Sequence, residues 1–181
     1  MENDHITHKQ MQQRLSGLVG RNIVNHLCYC YFPYTRKMPD IALAFRVFPE
    51  VTVRERNNGQ TNRFGGAKPD SYRIDAVLAV KPGRDALNQE SVFTVGIELK
   101  GSIDDLRADK KFTHYRGWCS LMFFAVPNDL ILAAEEKVEF FEDIGVIDID
   151  SGYIRKYPRM YIPLLEKQIE LLKQLVFNNI D

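Results

Sequence analysis

Val95-Gly96-Ile97-Glu98-Leu99-Lys100 decides how this chain is read, because an apolar run ends there in two opposite charges one residue apart. Alternation along a strand sends Glu98 and Lys100 to one face and Ile97 and Leu99 to the other. A carboxylate and an ammonium at the end of a buried strand are costly unless each finds a partner. Upstream, Tyr72-Arg73-Ile74-Asp75-Ala76-Val77-Leu78-Ala79-Val80 reads as a second strand holding one acid, Asp75. Downstream, Ser102-Ile103-Asp104-Asp105 opens a helix. Ser102 is placed to cap it and Asp105 to reciprocate, and the two acids suit the positive end of the helix dipole. That helix carries Arg107, Lys111, His114 and Trp118 on one stripe, and Ala108, Phe112, Tyr115 and Cys119 on the next.

Outward from this centre, residues 6–31 show a helical recurrence of Met11, Leu15, Leu18, Val19, Ile23, Val24 and Leu27, weakened by Gly17 and Gly20. Residues 32–40 read as a loop, and 41–53 as strand interrupted by Pro49. The turn-formers of 57–70 predict a long, mobile hairpin connection, and Pro82-Gly83 a second turn. Three successive strands joined by loops predict an antiparallel meander. Leu121-Met122-Phe123-Phe124-Ala125-Val126 is uniformly apolar and predicts a central strand covered on both faces. Residues 130–141 return to helix, and 145–149 form a last short strand. Pro163 starts a final helix with Leu165, Ile169, Leu172 and Val176 on its buried face and Glu166, Lys167, Glu170 and Lys173 in solvent. The expectation is one α/β domain over 1–181, with a core at about 41–150 and helices 6–31 and 163–178 packed on it.

Composition narrows the chemistry. At 181 residues the chain is long enough for one well-built core. With 24 basic and 24 acidic residues the formal charge is +0, so a nucleic-acid partner must be held by a local patch. No stretch approaches the roughly 18 apolar residues that span a bilayer. The polar start, Met1-Glu2-Asn3-Asp4-His5, has no apolar targeting core, which predicts a cytoplasmic protein with no membrane partner. Cys28, Cys30 and Cys119 give no disulfide framework and read as buried or half-buried free thiols. His5, His8, His26 and His114 show no zinc spacing.

Hydrolysis of a phosphodiester needs a positioned nucleophile and positive charge where negative charge grows, and a divalent ion held by carboxylates supplies both. Asp75 and Glu98 on neighbouring strands, with the Leu99 carbonyl between them, form a hard oxygen set suited to Mg²⁺, with Mn²⁺ as the substitute. Lys100, on the Glu98 face, is placed to orient the water or neutralise the phosphate. Arg107, Lys111, His114 and Tyr115 are the candidates for holding a nucleic-acid backbone. The plainer alternative pairs Asp75 with Arg73 and Glu98 with Lys100, and leaves the basic helix face merely solvated.

Asp75 followed by Glu98-Leu99-Lys100 resembles the signature of the PD-(D/E)XK nuclease superfamily. More narrowly, Glu98-Leu99-Lys100-Gly101-Ser102 resembles the MmcB family of DNA-repair proteins. The similarity continues through Asp105-Leu106, Asp109, Lys111-Phe112, Tyr115, Cys119 and Phe123-Phe124-Ala125-Val126-Pro127. It is dense over about 73–129. Phe112 stands where that family has Trp, and Ser120 where it has Asp. The resemblance implies a restriction-endonuclease-like core, a mixed sheet with flanking helices, and a metal-dependent nuclease acting on DNA, with RNA left open. It also implies a further glutamate from an early element, for which Glu50 fits better than Glu55. The alternative function is a non-cleaving nucleic-acid-binding or protein-interaction module that retains the fold.

Overall fold

The computed structural model describes residues 6–31, 44–54, 71–81 and 92–177. Its strands are β1 (Ala44–Arg54), β2 (Ser71–Lys81), β3 (Phe93–Leu99), β4 (Leu121–Val126), β5 (Ile144–Asp148) and β6 (Ile154–Lys156). They lie side by side in that order in one sheet. The first three are antiparallel, the meander the sequence predicts. β3, β4 and β5 then run parallel, and β6 returns antiparallel. Parallel neighbours need a crossover, and the helices α3 (Ile103–Ala108) and α4 (Ile131–Lys137) lie in those two connections. The result is a mixed sheet flanked by helices, the arrangement of a restriction-endonuclease-like core. β6 is three residues long with only Ile154 buried, too short a pattern to read from sequence.

On one face of the sheet, α1 (His8–Leu15) and α2 (Leu18–Tyr31) set Met11, Leu15, Ile23 and Leu27 in a cluster with Leu78, Val95, Ile97 and Phe123. The single helix expected over 6–31 is therefore two. Thr7 and Gln10 form a capping box at the start of α1. A Cβ on Gly20 would stand 1.8 Å from the Leu15 carbonyl oxygen, so this glycine permits the close turn between the helices. On the other face, α5 (Leu165–Phe177) contributes Leu171 and Leu175 to a cluster with Trp118, Phe112, Phe124 and Val146.

This corrects the expected buried face of the last helix. Leu165 is 69% exposed, and Ile169, Leu172 and Val176 are also exposed. The helix carries two apolar stripes, and periodicity alone favours the more populated one. The stripe that packs is the one adjoining Lys167, whose ammonium lies 5.1 Å over the Trp118 ring. None of the three cysteines is in a disulfide; Cys28 and Cys119 are buried, but Cys30 is exposed. Among the described residues no helix is long and apolar enough to cross a membrane. The loop expected at 32–40, the hairpin connection at 57–70, the Pro82-Gly83 turn and Glu55 lie outside the described residues.

One irregularity in the sheet creates the site. Along β1, Phe45 and Val47 join the α1–α2 cluster, whereas Phe48, Val51 and Val53 join the other. Along β2, Ala76, Leu78 and Val80 belong to the first cluster, and Tyr72, Ile74, Val77 and Ala79 to the second. The two-residue alternation thus slips by one in both strands at the same level, at Glu50 and at Asp75. The slip is absorbed by Glu50, which takes φ 52° between the Pro49–Ala76 and Val51–Ile74 pairs. Beyond Ala76–Ile97 the β2–β3 ladder stops. The amide of Leu99 donates instead to the Asp75 carboxylate, at 2.9 Å. The side chain has replaced a strand partner, and a cleft opens there.

Candidate active site

The cleft holds about 900 Å³, and Asp75, Glu98, Leu99 and Lys100 are in its wall. Asp75 is fixed from three sides. Its Oδ2 accepts from the Leu99 amide and lies 3.2 Å from His8 Nε2, while its carbonyl accepts from Gln12 Nε2 at 3.3 Å. The pairing of Asp75 with Arg73 does not form; Arg73 lies 4.0 Å from Glu50 instead.

Glu98 is only 4% exposed. Its Oε2 lies 3.5 Å from Lys100 Nζ, and its Oε1 is buried without a hydrogen-bond partner. Burial, then the Asp75 charge, push the Glu98 carboxyl up to about 8; Lys100 and the Asp75 amide oppose this, and Asp109 adds to it. Burial pulls the Lys100 ammonium down, but the hydrogen bond it donates to Asp109 and the charges of Glu98, Asp109 and Asp105 outweigh it and hold Lys100 above its ordinary range. Lys100 and Glu98 do share a face, as alternation requires. The tightest partner of Lys100 is nevertheless Asp109, at 2.7 Å, with Asp105 at 3.8 Å.

Asp109 explains where the expected helix fails. The sequence pattern runs unbroken past residue 115, but α3 stops at Ala108 and Asp109 is extended, with φ −69° and ψ 113°. Its Oδ2 turns inward to Lys100, while its Oδ1 accepts from the amides of Lys111 at 2.7 Å and Phe112 at 3.3 Å. A carboxylate that bonds nearby amides competes with helix continuation. Here it starts a 3-10 turn over Lys111–Tyr115. Ser102 caps α3 as expected, accepting from the Asp105 amide at 3.2 Å. The Asp105 carboxylate, however, lies toward Lys100, and no reciprocal bond to Ser102 forms among the described residues.

The broken helix splits the predicted basic stripe. Lys111 and His114 reach the cleft wall together with Arg73 and Lys110, whereas Arg107 is exposed on α3 and lies outside that wall. The common face proposed for Arg107, Lys111 and His114 assumed one continuous helix, and the break at Asp109 separates Arg107 from the others. Tyr115 also lines the cleft but is buried, and its hydroxyl donates to the Arg73 carbonyl at 3.1 Å, so it braces the wall. Glu50, across from Asp75 in the sheet, is not part of the wall.

Sequence reasoning missed side chains that the fold brings in, Asp109 and His8 among them. Asp109 carries a signal, an acid at the point where an amphipathic pattern meets two lysines. His8 carries none, since only the packing of α1 against the sheet places it on Asp75.

A family model described as DNA repair protein MmcB-like matches residues 78–155. That stretch resembles the MmcB-like family. The matched segment runs from the middle of β2 into β6 and carries Glu98, Lys100 and Asp109, while Asp75 falls three residues before it. The N-terminal helices, β1 and α5 also lie outside the matched segment. Among solved structures, the chain resembles a protein of unknown function from Silicibacter pomeroyi, at 17% identity and a TM-score of 0.50, over 88% of this chain and 82% of that one. No curated protein matches.

Proposed function

We propose that the cleft hydrolyses phosphodiester bonds of DNA with a divalent metal ion, in DNA repair or processing. The observation that carries this reading is the bare Oε1 of Glu98, a buried carboxylate oxygen beside a second acid and without a hydrogen bond. Such an oxygen is costly in a folded protein, and a cation relieves the cost. The residues fit magnesium or manganese: Asp75, Glu98 and the Leu99 carbonyl would hold the ion. Among the described residues no three His, Cys, Asp or Glu side chains converge into a full cage. Magnesium keeps several waters and needs few protein ligands. When bound, the ion supplies an activated water and charge stabilisation at the phosphate.

This chain's own groups do the rest. Lys100 is held by Asp109 against Glu98, so its ammonium is fixed where an attacking water or a phosphoryl oxygen can be oriented. Lys110 and Lys111 on the wall attract the backbone. The description of the matching family, a DNA repair protein, supports DNA as the polymer.

The expected result is that magnesium or manganese raises the thermal stability of the wild type. At one hundred times its dissociation constant the ion contributes about 2.7 kcal/mol. Asp75→Ala should lose most of that gain in a melting titration. Equal gains in both proteins would remove the metal from the cleft.

A further inference from the structure

Tyr72 of β2 and His114 of the 3-10 turn stack face to face in the cleft wall, with ring centroids 4.8 Å apart and planes inclined by 8°. Tyr72 is half-buried and meets the buried Tyr115 edge-on, at 6.3 Å and 88°. Tyr115 is in turn tied to the Arg73 carbonyl. The three rings therefore form a column anchored in the core, and exposed His114 caps its solvent end. Lys110 and Lys111 are also exposed beside it, and neither meets a carboxylate among the described residues.

We infer that this column is a stacking step for an unpaired base, so the substrate is a DNA strand with at least one base outside a duplex: a single strand, a flap or a bulge. The inference rests on the reading that the cleft acts on DNA. A paired base inside a duplex has both faces covered by its neighbours, whereas an unpaired base offers a face to an aromatic ring whatever its identity. The adjacent lysines follow the backbone without reading sequence. Burial of the reacting groups points the same way. Asp75, Glu98 and Lys100 are 9%, 4% and 7% exposed, so the phosphodiester has to be led down to them. A flexible strand follows that path freely, while a duplex must first be deformed.

The test is equilibrium binding of the full chain to one labelled oligonucleotide, presented as a single strand and as a blunt duplex. Calcium, which takes the same kind of oxygen ligands, replaces magnesium to separate binding from turnover. The wild type is expected to prefer the single strand by roughly tenfold or more. His114→Ala should weaken single-strand binding by roughly 5- to 150-fold and leave duplex binding nearly unchanged. His114→Phe should restore the preference, because it keeps the ring. Lys111→Ala should weaken both forms about equally and lower the salt slope by about 1. Equal affinity of the wild type for both forms, a His114→Ala loss shared equally by both or absent from both, or failure of phenylalanine to restore it would overturn the stacking step while leaving DNA binding in place. Binding to neither form would overturn the DNA reading together with it. Strand preference without cleavage in magnesium would overturn the hydrolysis alone.

Discussion

Lys100→Ala is expected to cut DNA roughly 10²–10³ times more slowly than the wild type, a loss of about 2.7–4 kcal/mol in the transition state, with affinity nearly unchanged. The ammonium sits 2.7 Å from Asp109 and 3.5 Å from Glu98, deep in the cleft, where a positive charge acts on a reacting phosphate with little screening. An interaction made chiefly in the transition state lowers the turnover number without raising the Michaelis constant. Removing the lysine also strips Asp109 of its buried partner, at a cost of about 3–5 kcal/mol to the fold. Lys100→Arg therefore belongs beside it. Arginine keeps the charge for Asp109 but replaces a compact ammonium with a planar fork, so this variant should fold normally and still cut at least about tenfold more slowly. Unchanged rates in both would leave Lys100 a structural partner of the acids.

Glu98→Gln should stabilise the metal-free protein at high pH and flatten its dependence on pH. In the folded chain the Glu98 carboxyl is pushed up to about 8, from an ordinary 4.5. Between those values the native state holds a proton that the unfolded chain has released, so stability falls as pH rises through the window. Near pH 8 most of the penalty is present, on the order of 4 kcal/mol. Glutamine cannot ionise and escapes it. Lys100 retains Asp109 in the variant, so no lone buried cation is left behind. Denaturant melts at several pH values, with and without magnesium, decide the matter. The wild type should regain stability with the ion and Glu98→Gln should gain little. Parallel pH profiles for the two proteins would show that Glu98 carries no buried charge problem.

Much of this architecture is legible along the chain because burial writes itself into runs of residues. The uniformly apolar Leu121–Val126 becomes a doubly covered strand, and Glu98 and Lys100 share a face because alternation leaves no other choice. What the chain hides depends on contacts distant in sequence. The amphipathic stripe after Lys100 runs unbroken through Asp109, but the carboxylate at that position is claimed by Lys100 and by the amides of Lys111 and Phe112, and the helix ends. Arg107 leaves the cleft wall as a consequence. The slip of alternation at Glu50 and Asp75 is likewise invisible in either strand alone, because each accommodates the other across the ladder. The last helix offers two apolar stripes, and only the position of Trp118 decides which one packs.

Metal-dependent cleavage is the decisive measurement for this cleft. Wild-type protein and Asp75→Asn, both checked for folding, are incubated with end-labelled single-stranded and duplex DNA in magnesium, in manganese and in a chelator. Asp75→Asn keeps an oxygen for the Leu99 amide while removing the charge that the ion requires. The expected result is cleavage by the wild type in magnesium or manganese, none in the chelator, and a loss of at least about 10²-fold in Asp75→Asn. A folded wild type that cuts neither form in either metal, or an Asp75→Asn protein that cuts as fast as the wild type, would contradict it.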